Sequence, residues 1–205
     1  MDMALENKKR DPDKTRRRIL DAAFIQMYRQ GYQAMRVDAI LEDTHLTKGA
    51  FYHHFASKKV LGEAVIDEVL AGLIEQMWVR SLADYVDPVE GIKAVLRTIP
   101  SMMGPQLTQL GCPLNNLAQE MSPIDEAFRG KLNRIFHVWI ESISDALKRG
   151  QQNGNILPGI DTHGAAIFIV AAYEGAVSMT KSEQSTEMLN ICARQIELYL
   201  EGLRL

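Results

Sequence analysis

The segment that decides the fold lies at residues 36–58, which read RVDAILEDTHLTKGAFYHHFASK. Its first half spaces apolar residues for one side of a short helix, namely Val37, Ile40 and Leu41. Its second half places Phe51 and Phe55 four residues apart, so both rings face the same side of a second short helix. Two short amphipathic helices separated by a tight turn predict a helix-turn-helix.

The second helix is predicted to begin after Thr47, whose hydroxyl can cap it, and to turn a polar face outward. On that face Gly49 carries no side chain, so its backbone can approach a partner closely. Lys48 supplies a positive charge at the helix N-terminus, where unpaired N–H groups also favour phosphate. Such a face suits the major groove of duplex DNA. The further residues predicted on or beside it are Ala50, Tyr52, His53, His54 and Lys58.

The charge of the chain is distributed unevenly. Residues 1–60 carry 12 basic and 8 acidic side chains, whereas residues 61–205 carry 11 and 18. A basic N-terminal part suits a protein whose N-terminus meets phosphate, although a random fluctuation of composition would look the same. Before residue 20 the sequence predicts a basic arm, although such a run is usually just a solvated surface. The arm consists of Lys8, Lys9, Arg10, Lys14, Arg16, Arg17 and Arg18.

The remaining sequence follows helical spacing, and no alternating stretch of useful length predicts a strand. Further helices are predicted over about 13–30, 57–83, 87–99, 113–121, 122–150, 161–181 and 185–202. The residues predicted to start helices include Asp13, Ser57, Asp87-Pro88 and Ser122-Pro123. Pro100 is predicted to end the helix before it. We therefore expect an all-α fold of about nine helices, with a DNA-binding domain over 1–60 and a signal-sensing, dimerising domain over 61–205.

The sequence also speaks against several classes of protein. The polar N-terminus shows no apolar stretch of a signal peptide, and the longest apolar run, Ala165 to Tyr173, is too short to span a bilayer. Two cysteines, Cys112 and Cys192, are too few for a disulfide framework, and the five histidines show no zinc-ligand spacing. The sequence therefore predicts a cytoplasmic protein that binds no metal and no cofactor.

Residues from Thr15 to about Asp67 resemble the DNA-binding domain of the TetR family of bacterial transcriptional regulators. The resemblance is densest over LTKGAFYHHF at 46–55 and SKKVL at 57–61. It implies a repressor of transcription. The DNA contacts that it implies lie at Thr47, Lys48, Gly49, Tyr52, His54 and Lys58.

Two positions depart from the pattern of that family. The chain has Val37 where the family often has a Thr or Ser that reaches phosphate, so Arg36 is expected to make that contact. Val37 is predicted beside it among the DNA-binding residues. His45 replaces the usual turn glycine, which predicts a left-handed residue there at some cost to the turn.

The last two predicted helices fit the dimer interface that the resemblance implies. Residues 165–176 are apolar almost all round, so this helix should be buried on more than one side. The alternative is that these residues fill the core of one subunit. A homodimer would match the two-fold symmetry of a palindromic operator. The residues predicted at the interface are Ala172, Gly175, Ala176, Ile191, Ile196 and Tyr199.

Two kinds of signal are compatible with the sequence. Cys112 precedes Pro113 at a predicted helix start, where unpaired N–H groups favour a thiolate, although a lone cysteine is more often a small buried apolar residue. The segment GCPLNNLA at 111–118 resembles the NemR-like branch of the family, which implies redox sensing by Cys112 with Lys181 coupled to it. The other possibility is that a hydrophobic ligand binds in a pocket between the helices. Apolar residues at helical spacing, however, more often simply fill the core. The residues predicted to line its pocket are Met103, Leu107, Phe136, Trp139, Phe168 and Tyr173.

Together these features predict a homodimeric repressor that leaves palindromic DNA when a small molecule or an electrophile reaches its C-terminal domain. A thiol-dependent enzyme using Cys112 is a remote alternative, because no histidine base stands near it in sequence and no glycine loop offers an oxyanion site. A non-specific DNA-packaging protein is another, and it would bind random duplex as tightly as any operator.

Overall fold

The computed structural model describes residues 11–205, and the regular secondary structure of this part is all helical, without strands. The predicted all-α class is therefore confirmed. The helices are α1 Pro12–Gln30, α2 Val37–Thr44, α3 Lys48–His54, α4 58–83, α5 Pro88–Met103, α6 Pro105–Leu110, α7 Pro113–Met121, α8 Glu126–Gln152, α9 Thr162–Glu183 and α10 Glu187–Glu201. We call α1 to α3 the head and α5 to α10 the body, and α4 joins them.

Side-chain caps set most of the helix starts. Thr47 accepts a hydrogen bond from the N–H of Ala50, and Ser57 accepts one from Val60, so both predicted caps are confirmed. The predicted cap Asp13 is wrong, because Asp11 accepts from the N–H of Asp13 and α1 begins one residue earlier.

Two further boundaries in the body differ from the prediction. Pro100 does not end α5, which continues to Met103. The helix ends instead at Gly104, where a φ of +58° followed by Pro105 stops it. The long helix α8 is capped by Asp125, whose carboxylate accepts from two backbone N–H groups, and not by Ser122.

The connecting helix α4 is unusual along its length. Two of its segments, Val65–Leu70 and Glu75–Arg80, have π-helical hydrogen bonding, which is often found near functional sites. The second of these segments buries Trp78 against Trp139 of α8, with ring centroids 5.0 Å apart. In the body α9 packs between α8 and α10. Within residues 11–205, no helix is long and apolar enough to cross a membrane.

Head and body are tied together by polar contacts. Glu120 of α7 accepts hydrogen bonds of 2.8 Å from the backbone N–H groups of both Tyr32 and Gln33, just after α1. Lys59, in the first turn of α4, pairs with the α8 cap Asp125 at 2.7 Å. These contacts attach the head to α7 and to the start of α8, so a movement of either helix would displace the head.

Candidate functional site

The outward face of α3 is the clearest candidate surface of the head. Phe51 and Phe55 are buried, with 0% and 1% of their surface exposed, and Tyr52 is 53% exposed. A side chain built at Gly49 would meet nothing within 4 Å. The helix therefore packs by its two phenylalanines and leaves its glycine and tyrosine open to a partner, in the orientation that the sequence predicts.

The turn before α3 is closed by a residue in the left-handed conformation. His45 has a φ of +52° and a ψ of +40°, and its N–H is bonded back to Glu42 and Leu41 at the end of α2. This conformation is the one that the replacement of a turn glycine predicts. Histidine tolerates it better than most residues do, although less well than glycine.

The predicted contact residues around α3 are not equally free. Lys48 is exposed and pairs with Asp38 at 3.1 Å. The ammonium of Lys58 donates to the carbonyl of Gln33 at 2.9 Å and lies 4.8 Å from the ring centre of Tyr32. Burial lowers the pKa of Lys58 accordingly. Lys48 is therefore available at the surface, whereas Lys58 points back into the protein and must leave Gln33 to reach a phosphate.

The other predicted contacts fall into three groups. Thr47 and His53 are exposed, and Ala50 and His54 are half-buried at the edge of the face. Arg36 is exposed at the start of α2. Val37 is partly buried and packs on the core, so its side chain supports α2 from inside rather than facing outward.

The predicted basic arm is mostly paired within the chain. Lys8, Lys9 and Arg10 lie outside the described residues. The remaining pairs join Lys14 to Asp11, Arg16 to Glu68, Arg17 to Asp21 and Arg18 to the Thr44 carbonyl. The Glu68 carboxylate raises the pKa of Arg16, and Arg16 in turn lowers that of Glu68. The three carboxylate pairs offset positive charge that the sequence places in α1, and a neutral carbonyl holds Arg18.

A small cavity in the body lies between α4, α5, α6, α7, α8 and α9. Its volume in the free protein is about 40 Å³, room for only a few water molecules, so a larger ligand must widen it. Four of the six residues predicted to line a pocket lie on it: Met103, Leu107, Trp139 and Tyr173. Phe136 stacks on the outer side of Trp139 and does not line the cavity, and Phe168 is 49% exposed beside Tyr199 on the α9–α10 surface. The prediction was wrong for these two residues because their helices turn them away from α4.

Three polar side chains are buried in the wall of this apolar cavity. Glu174 is 7% exposed, and neither of its carboxylate oxygens has a hydrogen-bond partner among residues 11–205. The indole N–H of Trp139 and the hydroxyl of Tyr173 are also unpaired there. Burial raises the pKa of Glu174 to about 7, although nearby Cys112 and Asn115 lower it in part. The cavity therefore holds polar groups that the fold leaves unsatisfied.

Cys112 lines the same cavity, and its chemistry differs from the prediction. Burial first, and then the Glu174 carboxylate, raise the pKa of the Cys112 thiol well above its usual value. The start of α7 was predicted to favour a thiolate, and two backbone N–H groups do act in that direction. They are outweighed because the half-buried thiol is poorly solvated and lies beside a carboxylate.

Lys181, the predicted partner of Cys112, lies near that loop but binds another residue. Its ammonium donates to the Asn116 side-chain oxygen at 3.2 Å, and its methylene groups pack on Gly111. The structure therefore places Lys181 beside the backbone that precedes Cys112, with its charge directed to Asn116.

A hydrogen bond connects this loop to the head. The hydroxyl of Tyr28 on α1 donates to the carbonyl of Gly111 at 2.6 Å and lies 3.1 Å from that of Gln106. Burial raises the pKa of Tyr28, so its hydroxyl remains a donor. Gly111 precedes Cys112, so one tyrosine joins the cavity wall to α1, the first helix of the head.

The residues predicted at a dimer interface divide into two sets. Gly175 and Ile191 are exposed, and Ala172 and Tyr199 are half-buried. Ala176 and Ile196 are buried in the core of the single chain, so the prediction that they form a subunit contact was wrong. Sequence reasoning had assigned other large apolar residues of this surface elsewhere or left them out. They are Ile167, Phe168, Met179 and Leu198.

Sequence reasoning also missed Glu174 and Trp78. A signal for Glu174 was present, because it is the one charged residue between 164 and 180 in an otherwise apolar helix. A lone charge in such a helix marks a buried polar position. Trp78 gave no comparable signal, because its inward direction depends on the π-helical turn of α4.

Comparison with known proteins covers both parts of the chain. Residues 19–65 match the model of the bacterial regulatory proteins of the tetR family, and residues 88–195 match the C-terminal domain of LmrA/YxaF-like transcriptional regulators. The transcriptional repressor DhaR of Mycobacterium sp. (strain GP1) is 30% identical over 162 residues, which are 78% of this chain and 79% of DhaR.

Solved structures show the same likeness. A TetR transcriptional regulator from Chloroflexus aurantiacus has a TM-score of 0.85 and 27% identity, over 95% of this chain and 98% of its own. The reduced form of Escherichia coli NemR has a TM-score of 0.79 and 21% identity, over 93% of this chain and 97% of its own. At that identity the likeness to NemR concerns the fold alone.

Proposed function

Because the chain belongs to the TetR family of transcriptional regulators, we propose that it acts as a homodimer on a palindromic operator. In this proposal α3 lies in the major groove of each half-site, and a small molecule in the body cavity causes release. The observation that carries the proposal is the orientation of α3, with Phe51 and Phe55 buried and with Gly49 and Tyr52 exposed.

The exposed face has the chemistry that a groove requires. The open backbone at Gly49 lets the helix approach the bases, and Tyr52 can donate a hydrogen bond to phosphate. Lys48 adds a positive charge. Among residues 11–205 its partner is the exposed Asp38 carboxylate, and exposed pairs of this kind are weak. Moving Lys48 from Asp38 to a phosphate therefore costs little.

The apolar surface of α9 and α10 supports the homodimer. Phe168, Ala171, Gly175 and Met179 follow one another at three or four residues along α9 and are exposed. Ile191 and Leu198 lie two turns apart on α10 and are exposed as well. A stripe of this kind across two antiparallel helices suits a four-helix bundle formed with a second copy.

The cavity supports release by a ligand more than release by thiol chemistry. A reactive cysteine needs a thiolate, and the surroundings of Cys112 raise its pKa instead. A ligand that fills the cavity would press on the start of α7. Two residues before that start, the Gly111 carbonyl accepts the hydrogen bond of Tyr28 from α1. A shift there would change the spacing of the two heads, which the turn of the DNA fixes.

Gly49→Leu tests the position of α3 directly. A Cβ atom at this site has no neighbour within 4 Å among residues 11–205, and leucine replaces a flexible glycine in a helix, so stability should stay equal or rise by up to about 1 kcal/mol. In a groove the same side chain would collide with DNA. We expect a loss of affinity of about 100-fold or more for an operator duplex selected from random sequence with the wild-type protein.

Gly130→Leu is the matched control, because Gly130 is also an exposed helical glycine with open space around it. It should bind the selected duplex as the wild type does. Unchanged binding by Gly49→Leu in fluorescence anisotropy would remove α3 from the groove. A wild-type preference for the selected duplex well below about a thousand-fold over random DNA would contradict a specific repressor.

A further inference from the structure

We infer that the cavity of the body receives an apolar molecule with one positive charge, an alkylamine or quaternary ammonium compound, whose counter-ion is the carboxylate of Glu174. The inference rests on the proposed function for the consequence of binding, the release of DNA. Binding itself is a separate property of the body and can be measured without DNA.

The first observation is a buried carboxylate without a counter-ion in the described chain. Both oxygens of Glu174 are shielded from solvent, and no basic side chain within residues 11–205 pairs with them. The groups beside the carboxylate are the Cys112 thiol and the Asn115 amide, which are both uncharged. A carboxylate in such surroundings is costly unless a cation joins it.

The second observation is the aromatic wall beside that carboxylate. Trp78, Trp139 and Tyr173 contact one another, with ring centroids between 5.0 and 6.2 Å apart. Aromatic rings attract a cation by their quadrupole, and tryptophan does so most strongly. The rest of the lining is almost wholly apolar, with methionine and leucine side chains such as Met77 and Leu107. The wall therefore suits an apolar body that carries its charge at one end.

The same observations speak against other classes of ligand. An anion would meet the Glu174 carboxylate in surroundings of low polarity, where like charges repel strongly. A sugar or another polyol would lose its hydrogen bonds to water against apolar side chains. A neutral apolar molecule would leave the carboxylate unpaired or protonated. A cation is the class that satisfies Glu174 and the apolar lining together.

Matched cations and their uncharged isosteres test the inference. Benzyltrimethylammonium and neopentylbenzene have the same shape, as do hexyltrimethylammonium and 2,2-dimethyloctane, so each pair differs in the charge. Trp78 and Trp139 are the two tryptophans of the sequence, and both line the cavity, so tryptophan fluorescence reports binding. We expect saturable quenching at pH 8, with at least one cation binding ten-fold or more tightly than its isostere.

Glu174→Gln should abolish that preference, because it keeps the size of the side chain and removes the charge. Glu183→Gln, on the exposed end of the same helix, should keep it. Equal binding of cations and isosteres, a preference that survives Glu174→Gln, or no saturable quenching by either cation would each overturn the inference. If circular dichroism shows that Glu174→Gln does not fold, the comparison within the wild type decides alone.

The two proposals fail separately. A wild type that binds the cations without binding a selected operator would contradict the repressor function and leave the cavity assignment standing. A wild type that binds the operator specifically but does not bind the cations would contradict the cavity assignment and leave the repressor function standing.

Discussion

The head and the body differ in how they treat buried polar groups. In the head, buried Gln26 bonds to Asp43 at 3.3 Å, and the buried hydroxyl of Thr44 bonds to the Ile40 carbonyl at 2.6 Å. All the buried side-chain atoms that lack a partner within residues 11–205 lie in the body. They belong to Trp139, Tyr173, Glu174 and Thr180.

The surfaces of the two regions differ in the opposite sense. The head shows a polar face around α3, whereas the body exposes apolar side chains along α9 and α10, among them Phe168 and Leu198. The body therefore has unpaired polar atoms in its interior and uncovered apolar side chains on its surface. This difference fits the proposed function, in which the head binds DNA as it is folded, and the body is completed by a ligand in its cavity and by a second subunit at its surface.

A charge on the exposed apolar surface of the body should have the largest effect, which is dissociation of the dimer. Phe168→Glu places a carboxylate in the middle of the proposed subunit interface, and two-fold symmetry places it there twice. Burying each unpaired charge costs several kcal/mol, so we expect the dimer to dissociate at least several hundred-fold more readily. Light scattering at micromolar concentration should then give the mass of a monomer.

Val86→Glu is the control, because Val86 is a highly exposed apolar residue in the link between α4 and α5, away from this surface. It should leave the mass of a dimer. Phe168→Glu should also keep its helical circular dichroism, since Phe168 is half exposed and lies outside the core. A dimer that survives Phe168→Glu would place the interface on another face of the body.

The buried carboxylate of Glu174 should have a smaller effect, on the free energy of unfolding, and this effect depends on pH. Burial raises the pKa of Glu174 from 4.5 to about 7, so its contribution to stability is present below pH 4.5 and is lost as the pH rises through about 7. Glu174→Gln cannot ionise. At pH 8 its free energy of unfolding should therefore be about 3 kcal/mol higher than that of the wild type, and this advantage should shrink toward zero near pH 4.5.

Urea unfolding at pH 5 and pH 8 measures this difference, with Glu183→Gln as the exposed control. The other titratable groups that face Glu174 are Cys112 and Tyr173, and both have raised pKa values and stay neutral over this range. A Glu174→Gln variant that is less stable than the wild type at pH 8 would mean that the carboxylate has a partner in the free protein.

Sequence reasoning worked well in the head because local chemistry decides its structure. The caps Thr47 and Ser57, the spacing of Phe51 and Phe55 and the left-handed His45 each follow from a few neighbouring residues. These features placed α2, α3 and the outward face of Gly49 correctly.

In the body the sequence predicted that there are helices but not which way they face. Ile196 and Phe168 are both apolar residues at helical spacing, yet one lies in the core and the other on the surface. The packing of distant helices decides between them, as it also decides the burial of Cys112. Local helix-start chemistry predicted a thiolate at Cys112, but burial beside Glu174 has the larger effect on its pKa.

The smallest effect concerns the connection between the two regions. Tyr28→Phe removes the hydrogen bond from α1 to the Gly111 carbonyl, so it should cost about 1 kcal/mol of stability. Binding of benzyltrimethylammonium, measured by fluorescence, should not change, because Tyr28 does not line the cavity. If this bond passes the state of the cavity to the head, the ligand should lower operator affinity up to about five-fold less than it does in the wild type. Tyr85→Phe, on the link between α4 and α5, is the control and should change neither the stability nor the effect of the ligand on operator affinity. If the ligand lowers the operator affinity of Tyr28→Phe as much as that of the wild type, α4 remains as the route between the two regions.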